Sequence, residues 1–311
     1  MCISTEWQKE HPVALPEMPP QEYAAWQALI QQRCGLFFSE SRQHNLCRGI
    51  HERMRLCRMQ SYRAYYNHIV SHPTGSAEWQ ALLDYLLNHD TGFFRHVPSY
   101  DALTGYVLPA LLHDGRREKL IRMWSAGCSM GQEAYSLAMS FLDFTPPPST
   151  LYLDRVGDDT RAGWQIKVIG SDISRRVLHK ARLGQYKPHE TRSLPDHYRQ
   201  RYFTAIGDGH RRIYQIVPTV QSLVKFGYVN LQDPDSSPFL AGQSGGMDVI
   251  FCQNILIYFT LEDRLEIVQR LCQFLRPGGY LFLGPAEAMG LNLPGMRAVR
   301  LDDVMIYQRA L

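Results

Sequence analysis

The spacing of apolar and polar positions changes several times along the chain, and each change marks an element. Tyr23, Trp26, Leu29 and Ile30 recur at helical spacing, and the pattern stops at Cys34-Gly35. A second helix is predicted over residues 41–59, with Cys47, Ile50, Met54 and Cys57 on its apolar face. Two more helices are predicted over 61–71 and 77–89, and another follows Pro98. The period then shortens. Residues 121–124 form a short apolar run suited to a buried strand. The run breaks into Ser125-Ala-Gly-Cys-Ser129, with a second glycine at Gly131, and helical spacing returns from Gln132. A second strand (166–172) ends in Asp172 and precedes a helix over 174–183. Residues 186–221 hold short pieces, including a helix at 195–202 and a strand at 212–217, that read as a small subdomain. Strand patterns return at 223–229, 247–252 and 280–283, with a helix over 261–275 that stops at Arg276-Pro-Gly-Gly279. The end reads as a hairpin turning at Asp302-Asp303. Helices first, then alternating strands and helices, predict an α/β protein: an N-terminal all-α domain and a mostly parallel sheet covered on both faces, closed by one antiparallel strand.

Composition narrows the setting. The chain has 311 residues, 45% of them hydrophobic and 20% charged, as in an ordinary soluble globular protein. No apolar run approaches the roughly 20 residues needed to span a bilayer. The start lacks the basic-then-apolar pattern of a signal peptide, so a cytoplasmic protein with no direct membrane insertion is expected. The seven cysteines form no C-x-x-C pair and no zinc spacing, which predicts reduced thiols and no metal site. A net charge of +3 is too small to argue for nucleic acid. Its distribution is more informative. Arg48, His51, Arg55 and Arg58 form a stripe on the second helix, and from Arg42 to Arg63 six arginines, Arg53 among them, face one acid, Glu52. Such a stripe is either a solvated face or a dock for an acidic partner.

The stretch from Ile121 to Met139 carries the candidate chemistry. A strand, a small-residue turn and a helix are the first half of a nucleotide-binding unit, in which glycines allow close backbone approach and the helix offers free N–H groups. A tight turn without ligand is the alternative, because the G-x-G-x-x-G pattern is absent. Asp172, ending the second strand, is placed either to accept from ribose hydroxyls or to cap the helix that follows. The ribose role suits NAD and S-adenosylmethionine (SAM) alike. The closing hairpin favours SAM, since NAD-dependent dehydrogenases usually lack that reversal. Phe93 and Phe94, ahead of the first strand, are either core or the lip of a site.

Five segments in this order resemble the CheR-type chemoreceptor glutamate methyltransferases: Thr91-Gly-Phe-Phe-Arg95, Trp124-Ser-Ala-Gly-Cys-Ser-Met-Gly-Gln-Glu-Ala-Tyr-Ser136, Gly170-Ser-Asp172, Phe251-Cys-Gln-Asn-Ile-Leu-Ile-Tyr-Phe259 and Leu275-Arg-Pro-Gly-Gly-Tyr-Leu-Phe-Leu-Gly284. The tail and the Phe-Phe-Arg-His wording are similar to the PilK branch of type IV pilus chemosensory systems. Residues 1–20, rich in proline and polar residues, are expected to form a flexible tail, and the resemblance implies a receptor-binding helical domain (21–95) and a SAM-binding catalytic domain (96–311) with a β-subdomain inserted at about 185–221. It implies methyl transfer from SAM to receptor glutamates, leaving S-adenosylhomocysteine, by a monomer whose partner is the cytoplasmic domain of a methyl-accepting receptor. Thr91, Phe93, Arg95, Gly127, Glu133, Asp172, Asn230, Leu231, Gln253 and Asn254 are then the cofactor residues. Arg95 and Tyr258 face the chemistry, and Arg48, His51, Arg53, Arg55 and Arg58 face the receptor. Three departures stand out: Gln132 and Ala134 replace a glutamate and a proline, Gln253 replaces an arginine, and Pro285-Ala286 replaces His-Ser before Glu287. The loss of a cation at Gln253 leaves open a SAM-binding or receptor-binding module with weak or no catalysis.

Overall fold

The computed structural model describes residues 17–71, 76–113, 118–145, 163–241, 245–288 and 291–311. Most of the expected tail (residues 1–16) and residues 146–162, which follow the helix after the first strand, lie outside the described residues. The chain divides into two compact units between Asn88 and His89, where the resemblance implied a boundary after Arg95. Residues 89–95 go with the second unit because Phe93 and Phe94 are buried in its core.

The first unit consists of α1 (Pro20–Cys34), α2 (Gln43–Leu56), α3 (Tyr62–Val70) and α4 (Ala77–Leu86). Ser61 and Ser76 cap α3 and α4 by accepting from Ala64 N and Trp79 N. Trp26, Ile30, Ile50, Tyr65 and Trp79 are buried between the helices, with Trp26 and Tyr65 rings 5.3 Å apart. The buried seam of α2 is Leu46, Gly49, Ile50 and Met54, while Cys47 and Cys57 of the expected apolar face are only half-buried. The helix stops at Leu56, short of the expected 59, and Arg58 takes a left-handed φ of 56°.

In the second unit, α5 (Val97–Ala102) continues through a π-helical turn (Leu103–Val107) into α6 (Leu108–Leu112). Pro109 explains the widened turn, since it has no N–H to give and its ring crowds the carbonyl four residues back. There follow β1 (Leu120–Ala126), α7 (Gln132–Phe144), β2 (Gln165–Asp172), α8 (Arg175–Leu183), β3 (Gln185–Tyr186), α9 (Asp196–Tyr202), β4 (Phe203–Ile206), β5 (Ile213–Ile216), α10 (Pro218–Gln221), β6 (Val224–Tyr228), α11 (Pro238–Ala241), β7 (Met247–Cys252), α12 (Leu261–Phe274), β8 (Leu275–Leu283), β9 (Met296–Leu301) and β10 (Val304–Arg309).

Seven strands form one sheet in the order β6-β2-β1-β7-β8-β10-β9. The first five run parallel, and β10 pairs antiparallel with β8 and β9, which is the expected closing reversal. Every residue of β7 is buried, as a central strand covered on both faces requires. Phe251 and Phe282 stack across β7 and β8 at 4.2 Å. A separate three-stranded antiparallel sheet, β3-β5-β4, is the inserted β-subdomain.

Candidate active site

Parallel strands end together, so β1, β2, β6, β7 and β8 deliver their following loops to one edge of the sheet. The chain runs from β1 outward to β2 and β6, then returns to β7 on the other flank of β1. The order therefore reverses between β1 and β7, the position at which open α/β sheets leave a ligand crevice. Gly127 follows β1 there with φ 77°, and a Cβ on it would lie 2.6 Å from the Ile255 side chain of the loop after β7. Only glycine satisfies both the torsion and that approach.

Asp172 fastens this turn. Its Oδ2 accepts from the Ser129 N–H and its Oδ1 from the Ser174 N–H, each at 2.9 Å. Ser129 is thereby held at φ 49°, and Ser174 in turn caps α8 through Val177 N. A carboxylate offers about four lone-pair directions, so fastening the turn is compatible with accepting from ribose hydroxyls. The helix cap is therefore Ser174 and not Asp172, which supports it from behind by accepting the Ser174 N–H and keeps room for a ligand.

Glu133 lies in the first turn of α7 and accepts from the Ser125 hydroxyl at 2.7 Å. Removal from water pushes its pKa up to about 7; the Ser125 bond opposes the rise, the like charge of Glu287 adds to it, and Arg95 opposes it. Among the described residues no salt bridge reaches this carboxylate, so it is an acid in want of a cation. The ammonium and sulfonium groups of SAM fit that requirement.

The segment before α5 closes this side. The Ser129 hydroxyl donates to the His89 carbonyl at 3.2 Å, and Phe94, at φ 50°, donates its N–H to Ser136 Oγ at 3.1 Å. Half-buried Thr91 sits between these two ties. Arg95 is 46% exposed and donates to the Asp90 carbonyl and carboxylate at 3.0 and 3.1 Å. Such an exposed pair is worth at most about 1 kcal/mol, so an incoming carboxylate can compete for the guanidinium. Phe93 is fully buried, edge-on to Tyr186 and Phe203 at 4.9 and 5.3 Å; it is core, and its side chain is not on the lip.

After β6, Asn230 Oδ1 accepts from the Gln232 N–H at 3.1 Å in an Asx turn, and Leu231 is buried beside it. After β7, the Gln253 amide donates to Ser99 Oγ at 2.9 Å and to the Leu283 carbonyl at 3.3 Å, so it is engaged by α5 and β8. Asn254 follows with φ 63°, and half-buried Tyr258 ends a 3₁₀ turn over Leu256–Tyr258. The crevice thus brings together loops carrying Thr91, Arg95, Gly127, Glu133, Asp172, Asn230, Leu231, Asn254 and Tyr258, while the Phe93 and Gln253 side chains turn into neighbouring packing. Ser125, Asp90 and Glu287 bond to these residues and were not read from the sequence as site residues. For Glu287 a signal existed: an acid just beyond the glycine that ends a strand.

On the first unit, Arg48, Arg55 and Arg58 of the basic stripe are exposed, and Arg55 pairs with Glu52 at 3.1 Å. His51 is half-buried. Arg53 turns inward. Its Nε and Nη2 grip both oxygens of Glu78, at 3.0 and 2.5 Å, and Tyr65 adds a hydroxyl at 2.7 Å. It staples α2 to α4 and is not part of the exposed face.

A parallel sheet closed by an antiparallel last strand, with an acid at the end of β2 and a cation-seeking acid beside the turn after β1, defines a SAM-dependent methyltransferase. Residues 89–302 match the family described as CheR methyltransferase, SAM binding domain, and residues 21–87 match the CheR methyltransferase, all-alpha domain. The chain is 32% identical over 268 residues to chemotaxis protein methyltransferase 2 of Vibrio cholerae, covering 86% of this chain and 85% of that protein. It is 31% identical over 289 residues to chemotaxis protein methyltransferase 1 of Pseudomonas aeruginosa, covering 92% and 97%. With the chemotaxis protein methyltransferase of Escherichia coli it shares 33% identity over 263 residues, covering 83% and 81%. The chain belongs to the CheR methyltransferase family, and its cofactor is SAM, which supplies a methyl group activated by its sulfonium.

Proposed function

We propose that the protein methylates glutamate side chains in the cytoplasmic domain of a methyl-accepting chemotaxis-type receptor, forming methyl esters in sensory adaptation. What supports this reading is the kind of group each loop brings to the edge of the sheet. The acids Asp172, ending β2, and Glu133, following β1, suit the cofactor, while exposed Arg95 and half-buried Tyr258, on the flanking loops, suit a carboxylate. Glutamate has an unperturbed pKa of about 4.3, so the acceptor arrives ionised near neutral pH and needs no general base. The site then has to align carboxylate and methyl group and exclude water, with Arg95 and Tyr258 orienting the carboxylate through charge-assisted bonds. The chemotaxis names of the relatives support the setting. Exposed Arg48, Arg55 and Arg58 on α2 suit an acidic receptor helix. The wording around Phe-Phe-Arg-His favours a receptor of a type IV pilus chemosensory system.

The test is incubation with methyl-labelled SAM and a panel of receptor cytoplasmic fragments. Label that becomes protein-bound and is released by mild alkali, as a methyl ester is, supports the reading. Retention of cofactor binding with no label on any cognate fragment would favour the binding-module alternative.

A further inference from the structure

Behind the loop that follows β7 stands the Glu287 carboxylate, whose own contacts go beyond its charge effect on Glu133. Glu287 is 2% exposed, and it accepts four backbone N–H groups. Asn254 and Gly284 donate to its Oε2 at 2.8 Å each, and Leu256 and Ile257 donate to its Oε1 at 2.7 and 3.4 Å. Three of the four donors belong to the turn that begins at Asn254, with φ 63°, and ends at Tyr258. The turn also carries two backbone bonds of its own, from the Tyr258 N–H to Ile255 O at 3.2 Å and from the Phe259 N–H to Leu256 O at 3.1 Å. Gly284 supplies the seat: a Cβ there would lie 2.3 Å from Glu287 Oε2. A side chain at that position and this carboxylate cannot share the space. Burying a carboxylate is costly unless hydrogen bonds compensate, so a burial satisfied by one turn's amides ties the acid to that turn's shape.

We propose that Glu287 is the positioning residue of the site: seated against Gly284, its carboxylate moulds the 254–258 turn and so places Asn254 for the cofactor and Tyr258 for the methyl acceptor. The Tyr258 part rests on the proposed function; the moulding of the turn does not. Glu287→Gln keeps the shape but replaces one acceptor oxygen with an NH₂ group. Whichever way the amide faces, two N–H donors then meet a donor.

The experiment measures amide hydrogen exchange, S-adenosylhomocysteine affinity and turnover for Glu287→Gln, Gly284→Ala and the double variant, well below their melting temperatures. In each single variant, exchange over residues 253–259 should quicken by on the order of tenfold or more while β7 stays protected. Turnover at saturating SAM should fall about a hundredfold, more than cofactor affinity falls, as misplacement of a reacting group does. The double variant should be no worse than the worse single one, because both substitutions break the same contact. Unchanged exchange over 253–259 in Glu287→Gln, or additive effects of the two substitutions, overturns the proposal. Should Glu287→Gln fail to fold, Gly284→Ala decides alone, and exchange quickening evenly across the sheet would count against a positioning role. A wild type that methylates no receptor sinks the proposed function only, since exchange and cofactor affinity still decide the role of Glu287.

Discussion

Cofactor affinity should rise with pH between about 5.5 and 7.5, because Glu133 must lose a proton before it can hold a cation. In the free protein, burial beside Glu287 pushes its pKa up to about 7. With that value, about 3% of the carboxylate is ionised near pH 5.5 and about three-quarters near pH 7.5, so binding that selects the ionised form strengthens about twenty-fivefold across the interval. The sign for stability runs opposite. The folded pKa lies above the unfolded one, so this group's contribution is full below the ordinary carboxylate range and is lost as pH rises through about 7. Bound cofactor restores it. Calorimetry with S-adenosylhomocysteine, which keeps the ammonium group, in two buffers of different ionisation enthalpy reads both quantities. Nearly one proton should be released per ligand at the acid end and few at the alkaline end. Glu133→Gln should bind more weakly at pH 7.5 and lose the pH dependence. Proton release and a pH slope that are absent in the wild type, or that survive unchanged in Glu133→Gln, would refute the assignment of Glu133 to the cofactor's cation.

If Asp172 is the ribose acceptor, Asp172→Ala should weaken S-adenosylhomocysteine binding by about 1–3 kcal/mol, since it also strands the Ser129 and Ser174 amides; unchanged affinity by calorimetry would remove Asp172 from the site. Arg53→Met should lower the melting point of the protein, costing roughly 1–3 kcal/mol by leaving half-buried Glu78 beside Tyr65 without its charged donor, and an unchanged melt would show that the Arg53–Glu78 grip carries no weight. Arg55→Glu should leave the melting point and cofactor affinity alone while reducing receptor methylation, which should itself fall as ionic strength rises; equal methylation by wild type and variant would make the stripe a solvated face.

The alternation of periods along the chain was enough to read the sheet, because each strand is short, apolar and followed by a turn or helix signal. It misjudged β8. Arg276-Pro-Gly-Gly279 reads as a break before a strand, yet these residues lie within β8, at an irregularity where the register passes from Leu275 opposite Met247 to Tyr280 opposite Val249. Proline and glycine are tolerated there because the ladder is already interrupted. The site was legible where chemistry and chain position coincide, as at Gly127, Glu133 and Asp172. It was illegible where a role depends on a distant partner. Nothing local separates Arg53 from Arg55, and what divides them is Glu78 on another helix. Phe93 has a lip's address but packs against Tyr186 and Phe203 of the inserted subdomain. An acid just beyond Gly284 hints at Glu287, but three of its four amide partners lie some thirty positions earlier, which no spacing rule reaches.

The measurement closest to the central claim is single-turnover methylation of a cognate receptor fragment at saturating SAM, with the modified residues mapped by mass spectrometry, for the wild type and Tyr258→Phe. Wild type is expected to add methyl groups to glutamate side chains, and Tyr258→Phe to slow that step by about a hundredfold with little change in cofactor affinity. Methyl groups on any other residue type, or Tyr258→Phe turning over at the wild-type rate, would contradict the account.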